Sequence, residues 1–339
     1  MSDLPQLQTH AVAALLDGAE CGTPWRMTPL PGGANNRVYR IDAGGRALVL
    51  KQYFHAPEDT RDRLGAEFAL SCFAWRNGVL CLPKPIAADF ERHLGLYSFV
   101  DGRKLTPGEI DETAVEQALT FALALDALRE HSDSQTLPVG SEAVFRFGDH
   151  LALVEQRVRR LGRIDVGDAL QADAARLVSQ ALMPAWDRIA ARARGEANRA
   201  GIVLDDEIPS GERTISPSDF GFHNALRGTD GTIRFIDFEY AGWDDPAKLV
   251  GDFFNQVAVP VPRKFYASFA DRFAAARPRA TLHRKRFDLL LPVYGIKWVC
   301  IMLNDFLPAG EKRRRFAAGE DRRATQLDKA RAALEALED

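Results

Sequence analysis

The stretch Ile215–Phe238 reads ISPSDFGFHNALRGTDGTIRFIDF. It places Asp219 on a loop, Asn224 five positions later, and Asp237 just after a short apolar run, Ile233–Ile236. Transfer of a phosphoryl group from a nucleotide needs such a trio. One carboxylate must sit beside the attacking hydroxyl and accept its proton. A second carboxylate and an amide oxygen must hold Mg2+ against the phosphates, because magnesium takes hard oxygen ligands. The strand Ile233–Ile236 would carry Asp237 back towards the loop that bears Asp219 and Asn224.

The D-x-x-x-x-N spacing is that of a kinase catalytic loop. Asp219-Phe220-Gly221 also spells DFG, the usual label of the metal-binding aspartate. Under that assignment a D-x-x-x-x-N should lie upstream at a suitable spacing, and none does. Asp219 is therefore assigned as the catalytic base, and Asn224 and Asp237 as the metal ligands. No GxxxxGK[ST] occurs anywhere, which excludes a P-loop kinase. The phosphate-binding element expected near the N-terminus is Gly32-Gly33, a turn between two strands in LPGGANNRVY. Such a turn lets backbone N–H groups approach phosphate oxygens. Lys51 ends the apolar run Leu48-Val49-Leu50 and points to the same phosphates, with Glu67 on the next helix placed to pair with it. Taken singly, Lys51 and Glu67 read as surface charges; their order along the chain with the later trio gives them weight.

Around these residues the chain divides in two. Arg37–Ile41 and Ala47–Leu50 flank the turn signal Asp42–Gly45 and predict a β-hairpin. Thr60–Asn77 has helical spacing and a C-cap at Asn77-Gly78. Ile86–Asp89 and His93–Val100 predict strands. Helices are expected over Asp111–Arg129, Ser141–Leu161, Ala169–Arg194, Lys264–Ala276, Leu289–Leu303 and Gln326–Leu337. The fold class is α+β, a bilobal arrangement with a small β-rich N-lobe (1–101) and a larger, mostly helical C-lobe (102–339). Tyr97–Val100 would link the lobes, with Ser98 and Val100 offering backbone hydrogen bonds to a nucleotide base.

With 339 residues, 46% hydrophobic and 27% charged, the chain has the composition of a soluble globular protein. A net charge of −3 lacks the footprint of a nucleic-acid binder, and Lys312–Arg315 reads as a solvated basic cluster. Cys21, Cys72, Cys81 and Cys300 are scattered without CxxC spacing, which points away from a disulfide framework and towards the cytoplasm. The N-terminus has no basic region ahead of its apolar stretch Ala11–Leu16, so no signal peptide is expected. The most apolar segment, Leu289–Leu303, is too short to cross a bilayer, and no membrane insertion is expected.

On these motifs the chain resembles the aminoglycoside phosphotransferase/choline kinase family. PGGANNRVYRI is similar to that family's nucleotide loop, LVLK to its strand lysine, SDFGFHNAL to its catalytic loop, and FIDFEYAGWDDPAKLVGDF to its metal-binding segment. The resemblance covers Met27 to Phe254 and implies a protein-kinase-like fold, ATP or GTP in the cleft, Mg2+, and a hydroxyl acceptor on a small molecule such as an aminoglycoside, choline, an amino alcohol or a sugar. One departure stands out. The family has His-Gly before the catalytic Asp and His two residues after it; here those places hold Pro217-Ser218 and Gly221. His223 reads as a surface loop histidine, with partial replacement of the missing one as the other reading. The departure motivates a rival function, a catalytically impaired nucleotide-binding regulatory protein. A protein kinase is disfavoured, because Tyr240–Lys248 leaves no room for an activation segment.

The acceptor should meet Asp219 from the helical lobe. Candidate wall residues are Glu239, Trp243, Asp244 and Asp245, and, on one stripe of the last apolar helix, Tyr294, Lys297, Trp298 and Asp305, with Asn304 beside them. Acidic and aromatic groups together suit a cationic amine; Lys297 favours an anion or a sugar. The plainer reading makes Tyr294 and Trp298 core and Asp244-Asp245 a helix cap. Neither the acceptor's identity nor an oligomeric state is legible.

Overall fold

A computed structural model describes residues 6–31, 36–56, 59–308 and 321–337. A β-rich part comes first. Helix α1 (Gln6–Gly18) is followed by strands β1 (Trp25–Leu30), β2 (Asn36–Ala43) and β3 (Arg46–Tyr53). Helix α2 (Arg63–Arg76) then leads to β4 (Pro85–Asp89) and β5 (Leu94–Ser98). The five strands form one antiparallel sheet in the order β1-β2-β3-β5-β4. The expected hairpin is β2–β3, and its turn is tighter than the sequence suggests. Asp42 and Ala43 stay in the strand, and only Gly44 and Gly45 turn, with φ of +54° and +76°. Both angles are left-handed, as a two-residue turn matching the strand twist requires. Leu94, Leu96, Leu48, Leu50 and Ile41 from the sheet close on Val12, Leu15 and Leu16 of α1 as a small apolar core.

Helix α2 starts where Asp62 accepts from the Gly65 N–H at 2.8 Å and ends at Asn77, as read. Its Leu70, Phe73 and Ala74 face the other, larger core. That core is built mainly by α3 (Glu112–Ala127), α4 (Phe147–Leu161), α5 (Ala169–Leu177), α6 (Met183–Arg199), α7 (Pro246–Asn255), α8 (Tyr266–Ala275), α9 (Ala280–Leu303) and α10 (Arg323–Glu335). Short strands run between the helices: β6 (Arg103–Lys104), β7 (Thr214–Ser216), β8 (Ala225–Arg227), β9 (Ile233–Phe235) and β10 (Gly242–Asp244). They pair as β6-β8-β9 and β10-β7.

Three helical expectations need correction. Ser141–Arg146 is not helical, and α4 begins at Phe147. The N–H groups of Gly140 and Ser141 go to the Trp243 and Tyr240 carbonyls at 2.9 Å, and Glu142 takes a left-handed φ of +57°, which a right-handed helix does not allow. Ala169–Arg194 is two helices joined by a π-turn over Val178–Leu182, and the second continues to Arg199. The apolar helix starts at Ala280 rather than Leu289. The missed first turns carry His283 and Arg286, whose polarity disguises them although both are buried, against Glu212 and Asp245 respectively. At this length α9 could cross a membrane, but 67% of its most apolar window is buried inside the protein, against α7, α4 and α10 among others. It is the central core helix.

The α7–α9 packing sets the position of the residues discussed below. Gly251 lies against Tyr294, whose hydroxyl is 2.7 Å from His150 Nδ1. A Cβ at Gly251 would meet Tyr294 Cδ2 at 2.5 Å. Gly251→Ala is expected to cost about 1–3 kcal/mol through overpacking, read as a lowered urea midpoint. An unchanged midpoint would show that the two helices can part.

Candidate active site

The β3 register puts Lys51 opposite Gly95 of β5 and Val38 of β2, with its side chain on the buried face. Its Nζ donates to Glu67 Oε1 at 2.7 Å and to Asp237 Oδ1 at 2.9 Å. Glu67 is held on its other oxygen by the Tyr53 hydroxyl at 2.8 Å, and Tyr53 in turn contacts the Tyr97 hydroxyl at 2.9 Å. Burial alone would push the Lys51 ammonium down. The Asp237 and Glu67 carboxylates outweigh it, so Lys51 titrates above its usual range and stays charged. Residues far apart in sequence thus meet as one ion cluster at the junction of sheet and helical part.

Asp219 and Asn224 meet on the neighbouring loop. The Asn224 Nδ2 donates to the Asp219 backbone carbonyl and to Oδ2, both at 3.1 Å. The loop is anchored by its apolar residues: Phe220 stacks on Phe253 with ring centroids 4.8 Å apart, and Phe222 is fully buried beside the same ring. The β8–β9 hairpin then brings Asp237 back. Ala225 pairs with Phe235, and the Ile236 N–H donates to the Asn224 carbonyl at 2.9 Å. Asp237 follows with φ +70°, a left-handed conformation rare for a non-glycine and of the kind that collects at functional sites.

The position expected for the base, Asp219, is more enclosed than the sequence indicates. His223 lies against it, with Nε2 3.2 Å from Asp219 Oδ1. A carboxylate only accepts, so Nε2 carries the hydrogen. The reading of His223 as a plain surface histidine is therefore wrong. Burial raises the Asp219 carboxyl, but His223, the Asn224 amide and the nearby Lys297 outweigh it and leave the carboxyl below its ordinary value.

Pro217-Ser218, the departure from the usual motif, also acquires a physical account. Ser218 has φ +66°, which is why a glycine suits this place. The serine is held there by three bonds. Its N–H donates to Ser216 Oγ at 2.9 Å, its hydroxyl donates to the Ser141 carbonyl at 3.3 Å, and it accepts from Lys248 Nζ at 2.6 Å. Lys248 is fully buried and also pairs with Asp244 at 2.5 Å. A lysine from α7 therefore braces the loop from behind. No local pattern identified Lys248, and only its buried position on α7 reveals it. Lys104 was also missed; its Nζ donates to the His223 carbonyl at 2.8 Å and it is close enough to feel Asp237 and Lys51.

Other expected site residues are engaged elsewhere. Glu239 is buried, accepts from Asn36 Nδ2 at 2.9 Å and pairs with Arg63 at 3.6 Å, tying its loop to β2 and α2. Trp243 donates its indole N–H to the Ser134 carbonyl at 3.0 Å from within β10. Asp305 pairs with Arg322 at 3.6 Å, and Asn304 accepts from Arg160 at 2.8 Å. Asp245 caps α7, and Tyr294 is core, as the plainer reading had it. Of the acceptor-side candidates, Trp298 lies by the base, its ring edge-on to His223 at 6.1 Å, and Lys297 is near enough to act on Asp219. The Ser98 N–H goes to the Lys84 carbonyl at 2.8 Å, so this donor is committed to strand pairing; Val100 lies just past the sheet and is half-buried. Gly32 and Gly33 lie outside the described residues. The strands flanking them are paired, Leu30 opposite Val38.

Asn224 uses its Nδ2 on Asp219, which leaves its amide oxygen as an acceptor. Asp237 is part-exposed, with one oxygen on Lys51. The pair offers oxygen alone, and among the described residues no cluster of three His, Cys, Asp or Glu forms a cage. That combination fits Mg2+, which keeps several waters and borrows ligands from phosphates.

Solved structures with the same fold span nearly the whole chain. A choline kinase from Cryptosporidium parvum matches with a TM-score of 0.56 at 11% identity, covering 94% of this chain and 96% of that one. Spectinomycin phosphotransferase, solved with ADP and spectinomycin, matches with 0.58 at 11% identity, covering 96% and 98%. An ethanolamine kinase from Plasmodium vivax matches with 0.52 at 15% identity, covering 96% and 91%. No curated protein matches by sequence search. At such identities the structural likeness speaks for the fold, bilobal and kinase-like. The model of the phosphotransferase enzyme family matches residues 26–284, and the chain belongs to that family.

Proposed function

We propose that the protein is a Mg2+-dependent kinase that moves the γ-phosphoryl group of ATP to a hydroxyl of a small molecule. The observation that carries the reading is the convergence of Lys51, Glu67 and Asp237 in one ion cluster beside the Asp219–Asn224 loop. Family membership supports the reaction class, and the ADP and ATP in neighbouring structures support the nucleotide. The Asp219 carboxylate, kept ionised by its neighbours, accepts a hydrogen bond from the acceptor hydroxyl and aims its oxygen at the γ-phosphorus. As the new P–O bond forms and the bridging P–O bond to the β-phosphate breaks, the hydroxyl proton passes to Asp219 and ADP leaves with the bond pair. Lys51, steadied by Glu67, steadies the phosphates, and Val100 is the remaining backbone candidate for the base. Mg2+ held by Asn224 and Asp237 would neutralise phosphate charge. All four cysteines are free, in keeping with work in the reducing cytoplasm.

The first test is thermal stabilisation by ATP and by GTP, each with and without Mg2+. A ligand at a hundred times its Kd stabilises by about 2.7 kcal/mol. A Mg2+-dependent shift with ATP is expected, lost in Asp237→Ala. No shift with either nucleotide would overturn the reading. Binding without transfer to any hydroxyl would favour the regulatory alternative that Pro217-Ser218 motivates.

A further inference from the structure

Granted that the protein is a kinase, the loop around Asp219 also shows how the base is held in line. Each oxygen of its carboxylate has a donor, the Asn224 amide on Oδ2 at 3.1 Å and the His223 Nε2–H on Oδ1 at 3.2 Å. Two donors on opposite oxygens stop the carboxylate from turning about its own bond. With one of them gone, it could swing away from the acceptor hydroxyl.

The His223 ring is not what holds the loop together. The Asn224 N–H donates to the Gly221 carbonyl at 3.0 Å, Lys104 Nζ holds the His223 carbonyl at 2.8 Å, and Phe220 and Phe222 are buried in the core. Nor does packing explain the residue type. The ring lies edge-on to Trp298, whose indole N–H is fixed on Asp252 at 2.9 Å; Lys297 Nζ closes off both oxygens of that aspartate, also at 2.9 Å. In this setting His223 Nδ1 is buried and has no hydrogen-bond partner among the described residues. A buried polar atom left unpaired is costly, so an apolar ring would fill the place at less cost. What the histidine adds is the Nε2–H on the base.

Gly221 is the other half of the arrangement. Its φ of 169° is extended backbone open to any residue, so the glycine is not there for its conformation. It is there for space. A Cβ at 221 would meet His223 Nδ1 at 2.7 Å, His223 Cε1 at 3.0 Å and Gln256 Cγ at 2.9 Å. Gln256 is tied to Val259 through both ends of its amide, so the imidazole is the group that must move.

We propose that His223 is a positioning residue that locks the Asp219 carboxylate for phosphoryl transfer, and that Gly221 provides the space its ring needs. On this account Gly221 belongs to a working site rather than an impaired one. The test follows ADP release from Mg·ATP by the full-length protein, with water and then choline, ethanolamine, glucose and streptomycin as acceptors. His223→Phe, which keeps a ring and removes the donor, should lower kcat about 10–100-fold, the cost of a misplaced reacting group. The KM for ATP and the Mg·ATP melting shift should stay as in the wild type. His223→Gln, which can return an N–H to Oδ1, should recover most of the loss. Gly221→Ala should lower kcat about tenfold by itself and add little to His223→Ala, because both act through one contact. Wild-type kcat in His223→Phe, or additive effects of Gly221→Ala and His223→Ala, would overturn the positioning role. So would a rise in KM for ATP and a drop in melting temperature that accompany every loss of kcat, which is the signature of a damaged loop. Mg·ATP binding by the wild type without ADP release in any of these assays would also overturn it, since a base so held passes a phosphoryl group at least to water. Absence of Mg·ATP binding would instead overturn the kinase reading.

Discussion

Asp219→Asn is expected to lower turnover about 10²–10⁴-fold, the usual contribution of a positioned general base, while Mg·ATP still raises the melting temperature. The substitution keeps the size of the side chain and one oxygen to accept from Asn224 or His223, so the loop should hold its place. What goes is the negative charge that receives the hydroxyl proton. The experiment also settles the ambiguity of the Asp219-Phe220-Gly221 triplet. A metal-binding aspartate at this position would lose Mg2+-dependent nucleotide binding on substitution. A base would lose turnover and keep binding. The geometry favours the base, since Lys51 reaches Asp237 rather than Asp219 and Asn224 turns its amide to Asp219. Wild-type turnover in the variant would remove Asp219 from the mechanism.

The second large effect is expected from Lys248→Met. Lys248 is buried between Asp244 and Ser218, with Asp252 3.9 Å away. Burial alone would lower its pKa, and the Asp244 and Asp252 carboxylates raise it above the usual lysine value, so it is charged in the fold. Asp244 is pushed up by the same burial, a carboxylate that needs its cation. Removing one partner of a buried pair costs about 3–5 kcal/mol, because the other charge is left unpaired. Urea unfolding should show that loss. Adding Asp244→Asn should return most of it, since removing both partners is far milder than removing one. A loss below about 1 kcal/mol would show that water reaches Asp244 and that the brace is not structural. Turnover should fall with stability, because Ser218 would lose the lysine that helps hold its left-handed φ.

Local pattern carried the sequence reading a long way. The β2–β3 hairpin follows from alternation around Gly44-Gly45, α2 from its C-terminal cap and period, and α3 from its period; its Asp111 cap, which accepts from the Ala114 N–H, appears only in the structure. Asp219, Asn224 and Asp237 stood out by a fixed loop spacing, and Lys51 and Glu67 only by their order along the chain with that trio; the structure brings Lys51, Glu67 and Asp237 into one ion cluster. The failures share one cause. Ser141–Arg146 has helical composition, but Ser141 bonds to the Tyr240 carbonyl and Glu142 turns left-handed at φ +57°. The start of α9 carries polar side chains, His283 and Arg286, that only a distant Glu212 and Asp245 make buriable. Glu239 follows the metal segment and looks available until Asn36 and Arg63 are seen to hold it.

The sequence by itself therefore determined the class of architecture and the chain order of the residues proposed for phosphoryl transfer, because periodicity and loop spacing are properties of neighbours in the chain. Only the tertiary structure decided that His223 touches the base, that Lys248 braces Ser218, and that Lys297 closes off Asp252. These are ion pairs and hydrogen bonds between segments far apart in sequence, and whether a charge is free or neutralised depends on the partner that folding brings to it.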